Sequence, residues 1–194
     1  MTFRQKILKL VYPLLMKSRS KHALIKVNLN QFHPVKSFYN LTITCANSQI
    51  IDTETLRGKK ILIVNTASNC GYTAQYKELQ QLHEQLKHQL TIIGFPSNDF
   101  KQQEKLGDVH IAAFCQTYYG VTFPLAQKSV VVKSEKQHEV FRWLTNANIN
   151  GWNDRPPVWN FCKYLINETG ELTHVFGPAV SPMSDAFLKT ANLK

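Results

Sequence analysis

Ile61–Leu62–Ile63–Val64–Asn65–Thr66–Ala67–Ser68–Asn69–Cys70–Gly71–Tyr72–Thr73 is the stretch on which the fold turns. Its first half is an apolar, β-branched run, the mark of a strand buried on both faces. Just beyond it, Tyr76, Leu79, Leu82 and Leu86 recur at helical spacing and predict a helix over about residues 74–88. A cysteine is thereby placed at a strand-to-helix junction. Unpaired N–H groups and the positive end of a helix dipole favour thiolate over thiol there. Thiolate is the form that attacks electrophiles. The same position also allows the blander reading of a buried core cysteine. Gly71 permits close backbone approach, and Thr73 is a candidate cap for the helix.

Outward from this junction, strands and helices alternate. Lys60–Ala67 and Leu90–Phe95 read as strands. Ser37–Thr44 alternates and reads as a strand with Gln49–Ile51 as its hairpin partner. Ile111, Phe114 and Tyr118 mark a helix opened by Asp108 as N-cap and stopped near Gly120. Ser129–Lys133 reads as a strand and Val140–Thr145 as a short helix. Asn146–Trp159, punctuated by Asn, Gly and Pro, reads as a surface loop. Cys162–Asn167 and Leu172–Phe176 pair across Glu168–Thr169–Gly170, and Ala186–Leu193 forms a terminal helix. This order predicts an α/β fold with a central mixed β-sheet flanked by helices.

Charge divides the chain in two. The formal net charge is +10, yet no Asp or Glu precedes Asp52. Arg4, Lys6, Lys9, Lys17, Arg19, Lys21, Lys26 and Lys36 all fall in residues 1–36, and the rest of the chain nets only about +2. Two domains follow: a basic arm, 1–36, and a folded body, 37–194. A nearly neutral body argues against a nucleic-acid partner. Within the arm, Phe3, Ile7, Leu10, Val11, Leu14 and Leu15 share one helical face, with Pro13 as a kink or stop. The apolar run is too short to span a bilayer, which takes about 20 residues. The expectation is a basic amphipathic helix in weak contact with an anionic membrane surface, or packed on the body, in a cytoplasmic protein peripheral to the membrane.

Four cysteines, Cys45, Cys70, Cys115 and Cys162, form no CxxC and no zinc-like spacing with histidine, so no metal is expected. Three further segments carry chemistry. Gly94–Glu104 leaves the C-terminal end of a strand, where α/β sheets place ligands, and supplies neutral donors. Val158–Trp159–Asn160–Phe161 sets an indole N–H beside an amide. Phe114–Cys115–Gln116 puts a second thiol on a helix. Composition alone favours an Asn/Ser turn for the first and an aromatic core plug for the second, and allows a half-buried filler cysteine for the third.

Together these segments resemble the glutathione peroxidase family, from about Ser37 to the C-terminus. Asn65–Thr73 is similar to its strand-to-helix motif. Phe95–Pro96–Ser97–Asn98 with Phe100 and Gln103–Glu104 is similar to its second signature, and Trp159–Asn160–Phe161 to its third. The resemblance implies a thioredoxin-like fold and a peroxidase active in the response to oxidative stress. Cys70 matches the peroxidatic position, and Gln103, Trp159 and Asn160 match the hydrogen-bonding positions. Cys115 matches the resolving cysteine of the cysteine-type, thioredoxin-dependent branch. Asp99, Lys101 and Lys105 depart from it, standing where Gln, Gly and Pro are usual. Cys45 and Cys162 match no catalytic position and read as structural. No long insertion separates Val132 from Trp159, which implies a monomer.

The expected chemistry reduces hydrogen peroxide or organic hydroperoxides, lipid hydroperoxides among them. It proceeds through a Cys70 sulfenic acid, resolved by Cys115 and re-reduced by thioredoxin or glutathione. Cys70 and Cys115 stand 45 positions apart. A disulfide needs Cα atoms within roughly 7 Å, so local unwinding of the Cys115 helix is expected. No bound cofactor is called for; the chain has no GxGxxG and no P-loop. Three competing functions use the same sequence: a peroxide sensor relaying oxidation to a partner, a non-catalytic membrane- or nucleic-acid-binding module, and a disulfide reductase. The lack of CxxC counts against the last.

Overall fold

The computed structural model describes residues 24–193. The amphipathic helix expected in the arm lies outside the described residues. Among the described residues there are seven strands: β1 (Ile25–Val27), β2 (Thr42–Thr44), β3 (Ile50–Asp52), β4 (Lys60–Thr66), β5 (Leu90–Pro96), β6 (Lys163–Ile166) and β7 (Leu172–Phe176). The helices are α1 (Gln75–Leu86), α2 (Asp108–Tyr119), α3 (Glu139–Leu144), α4 (Ala147–Asn150) and α5 (Asp185–Thr190).

Five strands make one sheet in the order β1-β7-β6-β4-β5. β5 runs parallel to β4, and the other neighbours are antiparallel, so the sheet is mixed as expected. β4 lies inside, paired on both sides, and all of it but Lys60 is buried. Period-two alternation sends its side chains to two different layers. Leu62 and Val64 face a layer with Leu79 and Leu82 of α1, Ile111 and Cys115 of α2, and Phe187 of α5. Ile61 and Ile63 face the other, with Phe38, Ile43 and the α3 residues Val140, Phe141 and Leu144. The sheet is thus covered on both faces, as the apolar parallel pair β4–β5 requires.

β1 lies within the sequence assigned to the arm, yet it forms an edge of the sheet. Its register puts Ile25 opposite Phe176, Phe176 opposite Lys163, and Lys163 opposite Val64. That row crosses the end of the sheet from which the chain runs on to Cys70.

Four local expectations are corrected. Ser37–Thr44 is not one strand: Phe38–Asn40 is a 3-10 turn capped by Ser37 Oγ, and only Thr42–Thr44 pairs with β3. Ser129–Lys133 is not a strand. The amides of Val131 and Val132 donate to Asp99 Oδ2 (2.7 and 3.1 Å), so a carboxylate replaces a ladder partner. Asp108 does not cap α2; Gly107 holds that position, and Asp108 Oδ1 accepts from the Lys128 amide at 2.7 Å. The Asn-rich segment after α3 is not simply a surface loop. Asn150 and Asn153 are buried and bond backbone groups of Trp143, Leu144 and each other, which an apolar side chain could not do.

The β6–β7 hairpin turns on Gly170, at φ 86°, where a Cβ would sit 2.5 Å from the Tyr39 ring. Tyr39 in turn donates to Glu168 O at 2.9 Å. Gly170→Ala should therefore lower stability by about 2 kcal/mol in urea unfolding, through both left-handed strain and overpacking.

Candidate functional site

Cys70 lies in the turn between β4 and α1 and is only 4% exposed. Thr73 closes this turn rather than capping α1. Its hydroxyl accepts from the Cys70 amide (2.9 Å) and lies 2.8 and 2.9 Å from the carbonyls of Cys70 and Ala67. The turns leading into α1 bond three residues back: Thr73 to Cys70, Gln75 to Tyr72, Tyr76 to Thr73. Cys70 therefore stands before the helix proper, and nearby amides rather than the distant dipole reach its sulfur. The Tyr72 N–H donates to Sγ at 3.4 Å. The Trp159 indole, the Asn160 amide and the Gly71 N–H also lie around this thiol and favour its ionised form.

These donors pull the Cys70 pKa down, and burial pushes it up more, leaving it above the ordinary thiol value. The expected thiolate preference at the helix start is thus outweighed by desolvation in this resting geometry.

The other expected site residues converge on the same turn. Asn160 is fully buried, and its Nδ2 donates to Gln103 Oε1 at 3.0 Å. Asn160 Oδ1 accepts no bond, so the acceptors reached by Nδ2 set the amide's orientation. Gln103 thus joins the site through Asn160, and its carbonyl also accepts from the Asn69 amide at 3.1 Å. Trp159 is half-buried, its ring 5.7 Å from Phe100, with Lys101 Nζ 5.7 Å from the ring centroid. Lys101, which stands where glycine was expected, has φ 50°, and Gln102 has φ 51°. The departure therefore falls on left-handed backbone, where a side chain is strained.

Cys115 lies in mid-α2, fully buried in the same apolar layer as Cys70. Burial pushes its pKa up to about 12, far more than the nearby Tyr76 hydroxyl lowers it. All four cysteines are free. Among the described residues, no group of three or more His, Cys, Asp or Glu could hold a metal.

Sequence reasoning passed over three supports. Asn65 Nδ2 donates to Trp159 O (3.0 Å), and Asn65 Oδ1 accepts from the Cys162 amide (3.0 Å). Buried Glu104 accepts from the amide and hydroxyl of Ser68, each at 2.7 Å. Lys163 is buried in β6. Asn65 and Lys163 are polar residues inside apolar runs, which was the available signal; Glu104 sits among polar residues and gave none.

The profile of the glutathione peroxidase family matches residues 38–145. The chain belongs to the glutathione peroxidase family. It is 45% identical over 124 residues to the glutathione peroxidase homolog BsaA of Halalkalibacterium halodurans, covering 63% of this chain and 78% of that protein. It is 38% identical to the glutathione peroxidase-like peroxiredoxin HYR1 of Saccharomyces cerevisiae, over 77% of this chain and 92% of that one. Among solved structures, the crystal structure of T. cruzi GPX1 superposes with a TM-score of 0.60 at 28% identity. It covers 81% of this chain and 96% of that one. The fold is therefore thioredoxin-like, and the protein is a thiol peroxidase, an oxidoreductase of a family that needs no bound cofactor.

A raised thiol pKa has a measurable consequence. Thiolate is the minor form at neutral pH, so alkylation of Cys70 should climb as pH rises toward and past the ordinary thiol value, about 8.5. Trp159→Phe removes one donor to the sulfur. It should move that profile upward and slow alkylation at pH 7 roughly tenfold, as one pKa unit requires. Mass-spectrometric peptide mapping over a pH series reads both effects.

Proposed function

We propose that this glutathione peroxidase family member reduces hydrogen peroxide and organic hydroperoxides with Cys70 as the peroxidatic thiol. The observation that carries the reading is a buried sulfur that accepts the Tyr72 N–H and stands among the Gly71 N–H, the Trp159 indole and the Asn160 amide, all of which favour its ionised form. Neutral donors of this kind stabilise a developing thiolate and orient a peroxide without adding a competing charge. Trp159 and Asn160 donate directly, and Gln103 holds the Asn160 amide in place.

In the first step the Cys70 sulfur attacks the terminal peroxide oxygen. An S–O bond forms, the O–O bond breaks, and the leaving alkoxide or hydroxide takes a proton to become alcohol or water. Sulfur is oxidised by two electrons and the peroxide is reduced by two. Cys115 then attacks the sulfenic acid, an S–S bond forms, and the sulfenic oxygen leaves as water. A dithiol of the thioredoxin type returns both thiols by exchange. Cys115 is a poor nucleophile inside α2, because burial holds its pKa near 12. Resolution therefore requires local opening of α2, which exposes the thiol and lets the two sulfurs meet.

Two variants test the cycle. Cys70→Ser should abolish peroxide turnover. Cys115→Ser should consume one equivalent of peroxide and then stop, with no thioredoxin-supported NADPH oxidation. Sustained cycling by Cys115→Ser would remove Cys115 from the resolving role. Oxidation passed stoichiometrically to a partner, with poor turnover by wild type, would indicate a relay rather than a detoxifying enzyme.

The basic arm supplies weak contact with an anionic membrane surface. Ile25 lies in the sheet row that ends beside Val64, so the arm joins the body at the Cys70 end. No helix among the described residues is long and apolar enough to cross a membrane. In flotation with anionic liposomes, full-length protein should rise with the lipid at low salt. A variant lacking residues 1–23, which keeps β1, should not. Equal behaviour of the two would exclude the arm.

A further inference from the structure

Lys163 is a lysine inside a buried strand and is fully covered. A cation there loses its water and needs strong partners. No carboxylate pairs with it among the described residues; the ion pairs found there involve other residues. Its Nζ instead donates to two backbone carbonyls, Phe161 O at 2.9 Å and Val180 O at 2.7 Å.

Those two carbonyls belong to the two segments that frame the site. Phe161 follows Trp159 and Asn160, and it holds a left-handed conformation at φ 68°. A bulky residue adopts that conformation only when its surroundings enforce it. Its amide donates to Asn65 O at 2.5 Å, and its ring meets Tyr76 of α1 edge-on at 5.3 Å. Val180 lies in the 177–181 loop, and α1 braces this loop twice. Gln75 Nε2 donates to Pro178 O at 2.7 Å, and Ser181 Oγ donates to Glu78 Oε2 at 2.7 Å. A continuous chain of bonds therefore runs from α1, the helix that follows Cys70, through the loop and Lys163 to the turn that carries the indole and amide donors.

We infer that Lys163 is a positioning residue of the peroxidatic site, tying the strained Trp159–Phe161 turn to the 177–181 loop so that the donors of Trp159 and Asn160 stay aimed at the Cys70 sulfur. It touches no reacting atom. The inference rests on Cys70 being the peroxidatic thiol. The titratable groups that face Lys163 are the Cys162 thiol, beside it, and the Glu78 carboxylate. Burial lowers its pKa to about 7. Deprotonation does not break the tie, because a neutral amine retains two N–H donors for two carbonyls.

Lys163→Met keeps the stem and removes the donors, so Phe161 O and Val180 O are left buried without them. The readout is the pH profile of Cys70 alkylation, resolved by peptide mapping, together with the rate of the first peroxide oxidation. In Lys163→Met the profile should move up by about one unit and the oxidation at pH 7 should slow roughly tenfold. Leu144→Ala, in the core layer across the sheet, lowers stability without touching this chain of bonds and should leave the profile in place. A folded Lys163→Met with a wild-type profile and rate overturns the inference, as does an equal shift in Leu144→Ala. Should Lys163→Met not fold, Ser181→Ala decides. It frees the loop from Glu78 and must shift the profile in the same direction, and an unmoved profile overturns the inference. Failure of the underlying reading looks different: wild-type Cys70 would then form no sulfenic acid with peroxide, whatever its alkylation profile.

Discussion

Asn65 makes four hydrogen bonds to one short segment of chain. Its amide donates to Cys162 O, its carbonyl accepts from Phe161, and its side chain both donates to Trp159 O and accepts from Cys162. Residues nearly a hundred positions apart are thereby held in one register at the end of β4. The Cys70 turn grows from this same strand end, so the tie fixes where the sulfur's donors stand relative to the sulfur. Glu104 performs the matching task on the other side by holding Ser68, with Gln103 beside it bonded to Asn160. The site is three separate loops joined by buried polar bonds.

This architecture sets two opposing demands on one atom. The donors can be aimed well only where the chain is packed, and packing desolvates the sulfur. Burial raises the Cys70 pKa even though four surrounding N–H donors lower it. Cys115 meets the same desolvation with less relief, and its pKa reaches about 12. Two thiols of the same apolar layer thus differ because one is surrounded by N–H groups and the other by a helix and a tyrosine. In the cycle proposed for this chain, local opening of α2 removes the second burial and links resolution to helix stability.

The large features were legible along the chain. The run Ile61–Thr66, the Leu79/Leu82/Leu86 spacing and the Glu168–Gly170 turn each use a local pattern, and each local pattern matches its element. The failures share a different cause. Val130–Val132 has the composition of a strand, but Asp99 from a distant loop takes its amides. Asn150 and Asn153 have the composition of a surface loop, but they fold inward to satisfy buried carbonyls. Lys163 and Asn65 looked like ordinary interruptions of apolar runs. In each case a long-range hydrogen bond overrode local preference, and no window of sequence contains both partners.

The residue types and their order determined by themselves that this chain is an α/β thiol peroxidase of the glutathione peroxidase family, with a cysteine at a strand-to-helix junction. Hydrophobic period, turn chemistry and motif spacing are local properties, so they survive in one dimension. Only the tertiary structure decided that Gln103 bonds to Asn160, that Lys163 bonds to the Trp159–Phe161 turn, and that burial raises the Cys70 pKa. Hydrogen-bond partners and desolvation depend on what surrounds a group in space, and that is settled when β4, β6 and the loops at their ends pack together.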